Sequence, residues 1–506
     1  MQCRKRLGKY LLSPSAFQEG KYHRQFVYGS VSSEHAKFCM FLKASLESCE
    51  SDTRPQGLFM DIICFLLYSR SHPMISNVHD SSGVAVRARR KAYRNIILPL
   101  FITSVIAYLD RINLSYAALT MNEDLGFSDA VFGLGAGIFF AGYVFFEIPG
   151  ALVAEKFSPK WWLARIMISW GIVSGLMAFM TQVWEFYLLR FLLGAAEASL
   201  YPVLYASCIP RWFVARDRPR AIALMLASLQ ISSIIGAPLA GWVLGVKFFG
   251  MKGWQGLFII EAIPAIIFAF ILVRWMADSP KEAQWLEEDE RQWLITQFEE
   301  ENARKKSKKN YTIWQAFSDR EVIKLCLTYF LWITGFWGFG YWMPTVLKSI
   351  SNWSNLAVGW MIVIPMMLSL FFMLWIGHRS SVTGEKRWHG AIGTFIAAVG
   401  LLCGTMSNHP IWAFFFLCVT AIGIYAPFGV WWSYPTTFLS GPAAAGAIGM
   451  INSFGNIGGF VGPYITGYLK NLTGSFTLGW IYLAGSLIAS GLLMLTMRRN
   501  VDLEGS

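Results

Sequence analysis

Charge is what this sequence has little of. Only 15% of its 506 residues are Asp, Glu, Lys or Arg, against 55% hydrophobic residues and a mean hydropathy of +0.44. A soluble chain carries roughly a quarter of its residues as charges. A soluble globular protein is therefore excluded, and a polytopic all-α membrane protein is expected. Cysteine is sparse: the eight present show no C-x-x-C and no paired spacing, which excludes a disulfide framework and a zinc site. Histidine is sparse too, and His378, His389 and His409 lie in or near loops without forming a cluster. A membrane enzyme would need a reactive constellation at depth, so neither an enzyme nor a metal or organic cofactor is expected. No selectivity-filter repeat and no attached signalling domain suggest a channel or a sensor. The net charge of +12 would suit a nucleic-acid partner, but the bases sit in short loops between apolar runs, as the positive-inside rule describes.

What is present is a series of apolar runs. Twelve spans are read, at 95–118, 131–153, 161–180, 184–207, 219–245, 255–275, 322–347, 356–377, 389–407, 411–432, 442–467 and 476–497. Each is about 20 residues, enough at ~1.5 Å per residue to cross a core of ~30 Å. The loops alternate in charge. Glu123, Asp124 and Asp129 follow the first span without a base. Lys156, Lys160 and Arg165 follow the second, Arg211, Arg216, Arg218 and Arg220 the fourth, and Arg379, Lys386 and Arg387 the eighth. Even-numbered loops are basic, so both termini are expected in the cytoplasm.

The longest connection, 277–321, runs from an acidic stretch at Glu282–Glu290 to Lys305, Lys306, Lys308 and Lys309. It reads as a solvated linker with an amphipathic helix, between a bundle at 89–276 and a second at 322–500, with a tail at 501–506. Residues 1–88 read as an extension. Within it 1–73 are polar and aperiodic, and Met74 is the expected initiator. Arg87, Arg89, Arg90, Lys91 and Arg94 form a basic knot before the first span and read as an anchor at the membrane surface. Six spans, a linker and six spans is the layout of transporters whose substrate site lies near the midplane, between two halves.

The stretch Tyr108-Leu109-Asp110-Arg111 puts an acid and a base at membrane depth. A charge there costs about 2.5–3.5 kcal/mol on insertion scales, so such residues usually face a bundle interior and mark a path. At about 100° per residue Asp110 and Arg111 point to different sides and serve different partners. The planar Arg111 fork suits a carboxylate. Glu197 falls seven residues after Arg190, on nearly the same helix face. A static pairing of Arg190 with Asp110 remains an alternative. Gln230, Tyr108 and Tyr143 offer hydrogen bonds to a hydroxylated acid, or serve as helix glue. Asn452 and Asn456 share a face of span eleven. Trp337, Tyr341 and Trp342 either line a cavity from the second half or are ordinary core.

These residues resemble the major facilitator superfamily, and within it the anion:cation symporters of bacteria that carry tartrate, phthalate, hydroxyphenylacetate and sugar acids. The resemblance covers about 89–497. It rests on Tyr108–Arg111, Phe146-Glu147-Ile148-Pro149-Gly150, Arg190–Glu197, Gly236–Gly241 and Ile451–Pro463. It implies the major facilitator fold, twelve helices in two pseudo-symmetric sixes, and uptake of a small organic anion with a proton by a monomer in a bacterial inner membrane. It implies that Arg111 binds the anion, with Tyr108, Tyr143, Gln230, Asn452, Asn456 and Tyr341 around it. It implies that Asp110 and Glu197, with Arg190, couple the proton, and that Glu147, Glu155, Lys156 and Arg165 take part in gating. Two departures stand out. Ser158-Pro159 replaces a glycine near the turn of the gating loop, and Ser381-Val382 stands where the second half usually has an Asp-Arg pair.

Overall fold

A computed structural model describes residues 83–214, 217–247, 250–306, 319–351, 353–407, 409–432, 434 and 441–497. The expectations about Met1–Pro73, Met74 and the tail at 501–506 lie outside the described residues.

Every described element is helical. Among the described residues, ten helices are long and apolar enough to cross a membrane. They are α1 Gly83–Leu125, α2 Asp129–Lys156, α4 Val183–Trp212, α5 Arg218–Val243, α6 Gly253–Trp275, α8 Arg320–Ser351, α9 Asn355–Thr383, α10 Arg387–Thr405, α11 Pro410–Trp431 and α13 Thr477–Leu495. Two further long helices, α3 Pro159–Met177 and α12 Gly441–Thr473, complete the twelve. The linker holds α7, Glu288–Lys306. Span centres match the sequence reading. The ends run further, because α1, α2, α8 and α9 continue as polar turns beyond their apolar runs. α1 begins at Gly83, so its first turns lie inside the expected 1–88 extension.

Local chemistry sets the boundaries. α1 stops at Gly126, whose φ of 68° lets its N–H reach the carbonyls of Asn122 and Glu123. Ser128 caps α2 by accepting from the Val131 N–H. Ser158 does the same for α3 with the Trp161 N–H, and Pro159 takes the first helical position, where its missing N–H costs nothing. The departure from the family's gating loop is thus an N-cap. Ser381 and Val382 lie on the last turn of α9, before the left-handed Gly384. Ser381 donates to the His378 carbonyl and Val382 is 61% exposed.

The two sixes pack alike. α1 meets α5 and α6 as α8 meets α12 and α13. α3 packs on α6 as α10 does on α13, and α2 on α4 as α9 does on α11. The halves join along α2–α12, α5–α9 and α1–α8. At the α2–α12 crossing a Cβ on Gly133 or Gly137 would lie 2.7 Å from the carbonyl oxygen of Pro463 or Phe460, so only glycine allows this approach.

The basic knot, expected as an anchor at the membrane surface, pairs with acids of the linker. Lys91 Nζ lies 2.7 Å from Glu290 and 2.9 Å from Glu287, and Arg87 pairs with Asp289 at 2.7 Å. These pairs clamp the first turns of α1 onto α7. The Glu290 side chain is fully buried. Burial pushes its carboxyl up, but bonds from Lys91, the Glu287 N–H and Arg87 outweigh that and hold it below the ordinary carboxylate range.

Candidate functional site

Arg111 is the centre of the site. It sits in the second half of α1 with its side chain only 7% exposed, and its Nε donates to Glu197 Oε1 at 2.7 Å. Three rings flank the guanidinium: Phe139 at 5.1 Å, Tyr143 at 4.9 Å and Tyr201 at 5.2 Å from their centroids. Such contacts add cation–π attraction where water is excluded. Arg111 Nη2 and Glu197 Oε2 have no hydrogen-bond partner among the described residues, so the pair keeps one donor and one acceptor in hand.

The helix carrying Glu197 breaks just beyond it. Ala198 turns extended at φ −51°, ψ 146°, and Ser199 takes φ 70°, a left-handed conformation costly for a residue with a Cβ. Ser199 is held there by the Trp162 indole, which donates to its Oγ at 3.2 Å. A π-helical stretch, Val203–Cys208, follows. Such segments gather at functional sites. Here the break turns Tyr201 and Tyr205 toward a central cavity of about 80 Å³.

That cavity lies between the halves. Arg111, Tyr108, Tyr143, Tyr201 and Tyr205 line it from the first. Tyr329, Phe336, Trp337, Trp432, Asn452 and Asn456 line it from the second. Tyr108 faces Trp337 at 5.9 Å, and Trp337 stacks on Tyr341 at 5.2 Å. The wall is therefore aromatic, with hydroxyls and amides at intervals and one cation.

Other expected residues lie elsewhere. Asp110 points to α3, where it accepts from the Ser174 hydroxyl, and its Oδ2 has no partner among the described residues. Arg190 makes no ion pair among the described residues. It donates to the carbonyls of Gly135 at 3.1 Å and Ala136 at 3.4 Å, and to the Tyr341 hydroxyl at 3.2 Å. The alternative of a static Arg190–Asp110 partnership is thus replaced by a contact across the halves. Gln230 is fully buried, donates to Met373 Sδ at 3.3 Å and does not line the cavity.

The gating and binding sets meet at Glu147. Its carboxylate accepts from Asn452 on one oxygen, and from Asn456 at 3.3 Å and Ser453 at 3.5 Å on the other. This ties α2 to α12 beside the cavity. Glu155 holds Ser207 Oγ at 2.8 Å and Arg211 at 3.4 Å. Lys156 is exposed. Arg165 stacks on Trp162 at 4.1 Å and donates to the Ala196 carbonyl at 3.4 Å, which braces the break in α4. Near the opposite ends of α2 and α12, Lys470 pairs with Asp129 at 2.7 Å.

Sequence reasoning missed Tyr201 and Tyr205, which follow Glu197 at four and eight residues and were open to a helix-face argument. It also missed Glu261 in α6. This residue is 5% exposed, and neither carboxyl oxygen has a hydrogen-bond partner among the described residues. A lone acid in an apolar helix was the available signal.

Two six-helix halves closing on a buried ion pair are the architecture of a secondary transporter. The family model "Major Facilitator Superfamily" matches residues 100–463 and 325–502. A protein of Agrobacterium vitis named "Putative tartrate transporter" is 42% identical over 84% of this chain and 98% of its own length. A "Quinolone resistance transporter" of Acinetobacter baumannii is 33% identical over 79% of this chain and 92% of its own. Among solved structures, the inward open xylose transporter XylE from E. coli superposes with a TM-score of 0.65 at 14% identity, covering 81% of this chain and 98% of that one. The chain belongs to the Major Facilitator Superfamily: it is a multi-pass membrane transporter, not an enzyme.

Proposed function

We propose that this transporter imports a small organic carboxylate together with a proton, by alternating access. The observation that carries the reading is the Arg111–Glu197 pair at the cavity wall, with an unused guanidinium N–H and an unused carboxylate oxygen. The Arg111 fork presents two parallel donors to a carboxylate. An incoming anion competes with Glu197 for that fork. Glu197, 1% exposed, is then a buried carboxylate without its cation. Such an unpaired charge costs about 3–5 kcal/mol, and taking up a proton removes it. Substrate and proton thereby load together, and by linkage each raises the affinity for the other by the same factor.

Alternating access uses the contacts between halves. Glu147 with Asn452 and Asn456 fastens one level of the α2–α12 seam, and Asp129 with Lys470 fastens another. Opening at one level while the other holds gives the cavity one exit at a time. The tartrate name of the A. vitis relative supports a hydroxylated acid, and the tyrosines suit its hydroxyls. The aromatic wall equally accepts an aromatic acid, which keeps that class in the substrate set. The protein works as a monomer in a bacterial inner membrane with both termini in the cytoplasm, the side on which its basic loops lie.

The test is uptake of radiolabelled tartrate into proteoliposomes. Saturable accumulation under an inward proton gradient, abolished by a protonophore, is expected. Counterflow without any response to the gradient would make the protein an anion exchanger instead.

A further inference from the structure

A second cavity, larger than the central one, lies at the end of the first half. It measures about 760 Å³ and opens where the start of α3, the end of α6 and the head of the linker converge. Its floor belongs to the linker, where Trp285 stacks on Trp212 at 5.1 Å, and Trp212 donates to the Ala277 carbonyl at 3.2 Å. Those contacts fix the corner, so the cavity is built rather than a gap between loose segments.

Its lining divides into two zones. At the mouth stand three cations, Lys160, Arg165 and Arg274, with one acid, Glu282. Away from the mouth the lining turns apolar, through Ile168, Ile172, Phe270 and Val273. This part follows the groove between α3 and α6, and its rim is open: Ile172 is 51% exposed and Phe270 66%. Trp161 stands between the zones at 62% exposure, the amphipathic position tryptophan takes at a membrane–water boundary.

We propose that this cavity binds one anionic glycerophospholipid. The phosphodiester lies among Lys160, Arg165 and Arg274, and an acyl chain lies in the α3–α6 groove. The excess of cations over the single Glu282 selects an anionic headgroup over a zwitterionic one. A soluble phosphate ester would leave the apolar half of the cavity unused. This site is separate from the central cavity, so the inference does not depend on which substrate is carried. A lipid there bridges α3, α6 and the linker, three elements that meet at the end of the first half where its basic loops lie.

The test uses the full purified chain in a neutral detergent. Dioleoylphosphatidylglycerol, dioleoylphosphatidylcholine, soluble glycerophosphoglycerol and inorganic phosphate are added in parallel, with thermal unfolding and native mass spectrometry as readouts. Phosphatidylglycerol is expected to raise the melting temperature saturably and to remain as one retained lipid per chain. Half-saturation is expected at about 30-fold lower concentration than for phosphatidylcholine, the scale of two cations near an anionic headgroup. In Lys160→Ala/Arg274→Ala this preference should fall to about unity. Arg274→Gln alone, at an exposed position, leaves folding intact and should lose part of it. Equal effects of the two lipids would overturn the proposal, as would a full preference retained in the double variant. Stabilisation by glycerophosphoglycerol or phosphate equal to that by phosphatidylglycerol would also overturn it, since the occupant would then be a soluble anion.

Discussion

Arg111→Lys keeps the positive charge and removes the fork. In the wild type, Nε is committed to Glu197 at 2.7 Å while Nη2 is unused, and the guanidinium plane lies within about 5 Å of three ring centroids. An ammonium retains the attraction to Glu197, but it is a compact point charge without the planar fork. A bound carboxylate would then lose at least one charge-assisted hydrogen bond, worth about 1.5–3 kcal/mol. That corresponds to a dissociation constant raised roughly 10- to 150-fold. Folding should survive, because the Glu197 charge still has a cation beside it. The assay is calorimetric titration of the transported acid into both proteins at one pH, with thermal unfolding run alongside. Wild-type affinity in a folded Arg111→Lys protein would refute the reasoning and remove Arg111 from the anion site.

Three further outcomes are expected. Glu147→Ala removes the acceptor shared by Asn452, Asn456 and Ser453, so the seam at that level should open more often, read as faster labelling of a single cysteine placed beside Asn452; unchanged labelling would mean this contact does not hold the halves. Glu261→Met replaces a buried carboxyl that has no partner among the described residues with an apolar side chain of similar size, which should stabilise the protein by about 1–3 kcal/mol; a clear fall in melting temperature would show that the carboxyl makes a bond not accounted for. The clamp of α1 onto α7 depends on pH through Glu290, whose depressed pKa means its contribution is full above the unfolded value of about 4.3 and is lost as pH falls through the folded value. Protease nicking of the linker should therefore rise at about pH 4 and below, and Lys91→Ala should show raised nicking at neutral pH; pH-independent nicking in the wild type would contradict the clamp.

The division into twelve helices and two halves was legible because apolar runs at membrane length leave few alternatives for a backbone that must satisfy its own hydrogen bonds. The separate directions of Asp110 and Arg111 were legible for the same kind of reason, since helical rotation fixes them. Partners across the fold were not. Helical spacing places Asn452 and Asn456 on one face but says nothing of Glu147, some 300 residues away in sequence. Arg190 read as a coupling charge, yet it spends its donors on the carbonyls of Gly135 and Ala136 and on Tyr341, groups that no charge pattern reveals. The break at Ala198–Ser199 carries no glycine or proline at the point of rupture. It depends on Trp162 and Arg165 from α3, and so is a tertiary effect. The basic knot was visible as charge, but its partners Glu287, Asp289 and Glu290, at the start of α7 and just before it, were legible only as a stretch of the linker.

The central claim is that Glu197 gives up Arg111 to the substrate and takes a proton in exchange. Glu197→Gln holds that position permanently in its neutral form. One reconstituted preparation of this variant should be assayed twice, for counterflow between two substrate-loaded sides and for accumulation under an inward proton gradient. The account predicts counterflow close to wild type, with accumulation lost. Full proton-driven accumulation in Glu197→Gln would contradict it and move the coupling carboxylate elsewhere, first to Asp110.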